Sequence, residues 1–129
     1  MDNLLRLALL TLAALAAGCG EEFSVPPADC APLYEPTWEN VHEETLSKSC
    51  AVGSGCHSSP GALGLVLTNQ EEAHAALLNG LVTPGSPESS ELMYRLSPEA
   101  ATDQMPPGSL LQASERCAIA QWIRSGANP

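Results

Sequence analysis

Aromatic residues are scarce in this chain, with one Phe, two Tyr and two Trp among 129 residues. Cations are scarce too: five Lys plus Arg stand against fifteen Asp plus Glu, for a formal net charge of -10. No stretch alternates apolar and polar residues as a half-buried strand does, and there is no internal repeat. No apolar run reaches the roughly 20 residues that a comfortable membrane span needs. Each shortage excludes something. Too few cations argues against nucleic acid or an anionic membrane surface as partner. The missing strand pattern leaves an all-α domain. The missing aromatics leave a thin core, because a domain of this size buries only about 60–65% of its unfolded surface. Such a chain needs a staple: disulfides, a metal or a cofactor.

The apolar residues that are present gather first at residues 4–17, LLRLALLTLAALAA, followed by Gly18-Cys19. A charged start, an apolar run and small residues at a cut are the layout of a secretory signal. The stretch LAAGC, residues 15–19, resembles the lipobox of bacterial lipoproteins. It departs from it in placing Ala16, with Leu15 one further back, where leucine is usual. The resemblance implies residues 1–18 as signal peptide, cleavage before Cys19 and lipid on that cysteine. Several acyl chains would anchor the protein durably, whereas one binds only marginally. Residues 19–36 then read as lipidated cysteine and Pro-rich tether, and residues 37–129 as the domain. The expected location is the cell envelope, at a periplasmic or outer-membrane face.

Four helices are legible in the domain. Thr37 is an N-cap for a first helix, with Trp38, Val41, Thr45 and Leu46 on one face, running into Cys50. Thr68-x-x-Glu71 reads as a capping box opening a second, which Asn79-Gly80 ends. Ser86-Pro87 fits the start of a third, with Leu92, Met93 and Leu96 inward. Ser109-x-x-Gln112 reads as the start of the last, whose apolar face is Leu111, Ala118, Ile119, Trp122 and Ile123, with Gly126 as its stop. Trp122 is expected in the core, and His42 and His74 as solvated residues on polar flanks.

Residues 49–58, SCAVGSGCHS, hold the chemistry. The haem-attachment signature is C-x-x-C-H; here the spacing is C-x5-C-H. Gly53 and Gly55 would let the extra residues loop outward, since glycine accepts positive φ. Cys50 and Cys56 can instead close a small disulfide loop. Four cysteines follow Cys19, and an even count in an exported chain fits two disulfides. A zinc site from Cys50, Cys56, His57 and Cys117 is a third arrangement. No Ser/His/Asp triad or pair of catalytic carboxylates stands out, so a catalyst is not expected.

Taken in order, PTWENVHEETLSKSCAVGSGCH, GALGLVLTN, VTPGSPESSELMYRL, MPPGSLL and CAIAQWIRSGA resemble the class I cytochrome c family, in the form of small exported bacterial domains. The resemblance spans residues 36–127. It implies three to four helices with long loops around a haem c. Cys50 and Cys56 would be the thioether attachment points, His57 the proximal iron ligand and Met105, in the loop DQMPPG, the distal one. His42, His74 and Met93 are the other distal candidates, with Met93 spaced as a core residue. First and last helices pack together in that family, which makes a Cys30–Cys117 disulfide geometrically reasonable. The implied function is a lipid-anchored monohaem electron carrier, serving a redox protein whose surface is basic. The rival is a haem-free, disulfide-stapled lipoprotein domain for binding or assembly.

Overall fold

A computed structural model of the chain describes residues 22–129. The apolar run, the lipobox and Cys19 lie outside the described residues. Among the described residues the regular structure is entirely helical, so the domain is all-α.

Thr37 caps α1, Trp38–Asn40, by accepting the Asn40 N–H on its hydroxyl. The helix continues without a break, but its winding changes. Val41–Cys50 forms a π-helix, closed by the i→i−5 bond from Ala51 N–H to the Leu46 carbonyl, 2.9 Å. π-winding mostly appears as single turns and often marks functional sites. Here it decides which way Cys50 faces. At about 3.6 residues per turn, Cys50 would lie two and a half turns beyond Val41 and point the opposite way. The wider winding keeps Val41, Leu46 and Cys50 near one line. The first two are buried and Cys50 is half-buried.

The second helix, α2, is Gln70–Leu78. Its cap is Asn69, whose side chain accepts the Glu72 N–H at 3.0 Å, not the Thr68 expected from the Thr68/Glu71 pair. Asn79 and Gly80 end it, Gly80 at φ 96°. Ser86-Pro87 opens a 3-10 turn, Pro87–Ser89; α3, Glu91–Arg95, starts after Ser90. Another 3-10 stretch, Pro98–Asp103, follows α3. The last helix, α4, is Ala113–Arg124. Its start is Gln112, whose N–H is accepted by the Glu115 carboxylate at 3.0 Å, so the expected Ser109/Gln112 pair is shifted by three residues.

The core forms where α4 crosses the π segment and the turn before α3. Leu46, Leu77, Met93, Leu96, Ile119 and Trp122 are among its largest fully buried side chains. The two tryptophans meet at its edge, Trp38 and Trp122 with ring centroids 5.1 Å apart. Both flanking histidines are drawn into this edge, contrary to their expected solvation. His42 is 6% exposed, and its Nε2–H donates to the Leu67 carbonyl at 3.0 Å. His74 packs on Trp38 and donates from Nε2 to the Ala127 carbonyl at 2.8 Å. With so few aromatics available, the imidazole rings supply planar bulk, and each buried N–H finds an acceptor.

Residues 22–36, expected as a tether, are fastened along the helical body. Cys30 is disulfide-bonded to Cys117 of α4, with Cα atoms 5.9 Å apart. Gln121 Nε2 donates to the carbonyls of Ala28 and Cys30, at 3.2 and 2.9 Å. Arg124 donates to the Pro26 carbonyl, and the Leu33 N–H to the Ser114 carbonyl. Phe23 sets its ring edge-on to Tyr94, centroids 5.7 Å apart. The segment's backbone carbonyls thus serve as acceptors for the Gln121 and Arg124 side chains of α4.

Candidate functional site

A cleft with about 850 Å3 of free space, its open mouth included, lies between the π segment, the loop after it, α3 and the loop after Pro98–Asp103. Of this, about 230 Å3 is cavity volume proper, just under the roughly 300–1,000 Å3 of ligand sites. Leucines make up most of its wall, among them Leu46, Leu67, Leu77 and Leu96. Cys50, His57 and Met105 all border it.

The loop that carries His57 is built from its ends inward. The His57 N–H donates to the Cys50 carbonyl at 3.0 Å, drawing the two ends of the C-x5-C-H segment together. Residues 52–55 are exposed, so the extra residues loop into solvent. Gly53 and Gly55 sit at φ 72° and 96°, the conformations that made glycine the expected choice there. On the other side, the Leu67 N–H donates to the His57 carbonyl at 2.7 Å. The imidazole is oriented by its Nδ1–H, donated to the Leu65 carbonyl at 3.1 Å. This leaves Nε2 with the lone pair, the form of histidine that binds a metal. Gly61 permits the return of the chain: at φ 79° a side chain would strain it, and a Cβ there would collide with the Leu65 carbonyl group.

Met105 reaches the cleft from the opposite side of the sequence. Its N–H donates to the Arg95 carbonyl at 2.7 Å, tying the loop to the end of α3. The Arg95 side chain pairs with Glu91 at 2.7 Å and lies 3.8 Å from Asp103. Glu91 and Arg95 are the charged residues at the rim of an otherwise apolar cleft. Met93 points away into the core at 1% exposure, as its spacing implied.

The two free thiols differ. Burial pushes the Cys50 thiol up to about 11, with Glu115 and then Cys56 adding to the shift. Cys50 is therefore held as a neutral thiol at the cleft wall. Cys56 is also half-buried, but it does not border the cleft. Cys117 is bonded to Cys30, so the zinc quartet of Cys50, Cys56, His57 and Cys117 is not assembled. A separate hollow beside Trp38, His74 and Pro129 carries no thiol or thioether.

The residues suit the haem that the motif resemblance implies. The walls are apolar, one imidazole nitrogen is unengaged, and a thioether borders the same space. Sequence reasoning singled out His57, Met105 and Cys50, which the fold brings to one cleft, but not the groups that position them. The carbonyls of Leu65 and Arg95 have no sequence signal, because every residue carries a carbonyl. The Glu91/Arg95 pair had one, since Glu and Arg four apart on a helix face each other.

No protein-family model, curated protein or solved structure matches this chain.

Proposed function

We propose that the protein is a lipid-anchored electron carrier of the class I cytochrome c kind, holding one haem c with His57 and Met105 as axial ligands and Cys50 and Cys56 as thioether attachments. The observation that carries this reading is the convergence of His57 and Met105 on one apolar cleft, with His57 Nδ1 already committed to Leu65. When bound, haem supplies an iron that changes oxidation state by one electron. The chain's own residues do the rest. Leu65 fixes the His57 tautomer and ring angle. The Arg95 carbonyl fixes Met105. The leucine walls keep water from the cleft, and a Met/His ligand pair raises the reduction potential.

Cys50 borders the cleft while Cys56 stands just outside it, so Cys50 has the shorter path to a bound ring. Cys56 is itself held beside His57, its carbonyl accepting the Ala62 N–H at 2.9 Å, so its bond to the ring is left to the reach of its side chain. The rival reading is a haem-free domain stapled by disulfide. The Cys30–Cys117 bond favours it as far as the staple goes, but that bond leaves Cys56 unpaired and Cys50 unpaired at the cleft wall.

Expression with export and a haem-attachment machinery separates the two. Haem that stays with the denatured chain, and gives a c-type pyridine haemochrome spectrum, supports the carrier. A chain that emerges colourless under those conditions, with Cys50 bonded to Cys56, excludes it.

A further inference from the structure

The fastening of residues 23–30 has a consequence for how the domain sits at a membrane. We infer that the face formed by Phe23, Ser24, Tyr94 and Glu99 is held against the lipid surface, in one orientation. This rests on the reading of Cys19 as the lipidated residue.

The argument is one of lengths. Whatever path residues 20–21 take, the four residues from Cys19 to Phe23 span at most about 14 Å. A domain of about 100 residues has a radius of gyration of about 13 Å. A compact body with that radius of gyration has an outer radius of about 17 Å, so the leash is shorter than the radius of what it holds, and the exit face cannot turn away from the anchor. The leash is this short only because the chain is fastened at its start. Phe23 packs on Tyr94, Ser24 donates to Glu99 at 3.0 Å, and Arg124 donates to the Pro26 carbonyl. Were the chain held by the Cys30–Cys117 bond alone, the eleven residues back to Cys19 would reach about 40 Å, and the domain would tumble freely.

The orientation bears on the cleft. Glu91 lies at the cleft rim and also lines the hollow that contains Phe23 and Tyr94. The cleft mouth is therefore one side chain away from the lipid-facing side. A redox partner approaching over Glu91 meets the cleft beside the bilayer.

The test uses the full lipidated chain, 15N-labelled, in neutral phosphatidylcholine vesicles doped with a lipid that carries a gadolinium chelate on its headgroup. Neutral lipid is chosen because Glu22, Glu88 and Glu99 would be repelled by anionic headgroups. The amides of Phe23, Ser24, Tyr94 and Glu99 should lose most intensity relative to gadolinium-free vesicles. A Gly-Ser insertion of about twenty residues after Gly20, outside the folded body, should level that loss over the whole domain. Equal loss in the native and lengthened chains, or a maximum on another face, overturns the inference while leaving the anchor intact. A native chain that fails to float with the vesicles overturns the anchor reading, and the inference with it.

Discussion

Tyr34 shows how one side chain reports on a junction. Its hydroxyl shares a 2.6 Å hydrogen bond with Thr45 of the π segment, and Thr45 lies 3.4 Å from the Glu115 carboxylate of α4. Burial raises Tyr34 from 10.0 to about 12, against the hydrogen bond to Thr45, which lowers it; Glu115 adds a smaller rise. The folded state therefore holds the phenol proton more tightly than the unfolded chain. The stabilising contribution is complete below pH 10 and is lost as pH rises through 12. Melting temperature should fall over that window, and Tyr34→Phe should fall less steeply. In the haem-free protein the raised Cys50 thiol acts in the same direction between pH 9 and 11. At the cleft, Met105→Ala should abolish the near-infrared sulfur-to-iron band of the oxidised holoprotein. It should also admit external ligands and lower the reduction potential, because the thioether favours ferrous iron. A spectrum unchanged by Met105→Ala would take the distal role away from it. His42 and His74 are poor replacements, since Nε2 of each is committed to a carbonyl.

At the scale of elements, the loop from Gly61 to Leu65 is the support of His57. Gly61→Ala would put a side chain at positive φ and into the Leu65 carbonyl group, whose oxygen accepts the His57 Nδ1–H. Strain at such a site costs about 1–3 kcal/mol. The variant should therefore lose stability by that order in urea unfolding. Its holoprotein should also show a shifted potential or mixed ligation, which a loop without a role in aiming His57 would not. The strap along α4 gives a second prediction. Its disulfide closes a separation of 87 residues. The chain-entropy model values that at about 4.5 kcal/mol. Replacing Cys30 and Cys117 together by Ala should reduce unfolding stability by roughly that amount, and mass mapping of unreduced peptides should find the bridge in the native protein.

For the whole molecule, the proposed anchor predicts where the protein fractionates. Replacing Cys19 by Ser should leave the precursor unlipidated and move the protein from membrane to soluble fractions; retention in the membrane would show that the apolar run stays as an uncleaved anchor. With a formal charge of -10, association with the proposed basic partner should slow as salt rises, and stopped-flow rates that do not change with salt would count against such a partner.

Much of this was legible before any coordinates. Helicity follows from spacing, because residues such as Ile119, Trp122 and Ile123 recur at helical intervals and are buried. The outward loop follows from Gly53 and Gly55, because only glycine takes those backbone angles without strain. His57 and Met105 as candidates follow from the motifs around them, which resemble those of the class I cytochrome c family. Three things were not legible. The π-winding that turns Cys50 toward the cleft is a choice among hydrogen-bond registers that the same residues can make. The burial of His42 and His74 depends on which rings fill the edge around two tryptophans, a matter of packing between distant segments. The fastening of residues 22–36 depends on backbone carbonyls meeting Gln121 and Arg124, some 90 residues further along. Local sequence determines local backbone preference and side-chain chemistry; only the tertiary structure decides which far-apart groups meet, because that depends on how the whole chain fills space.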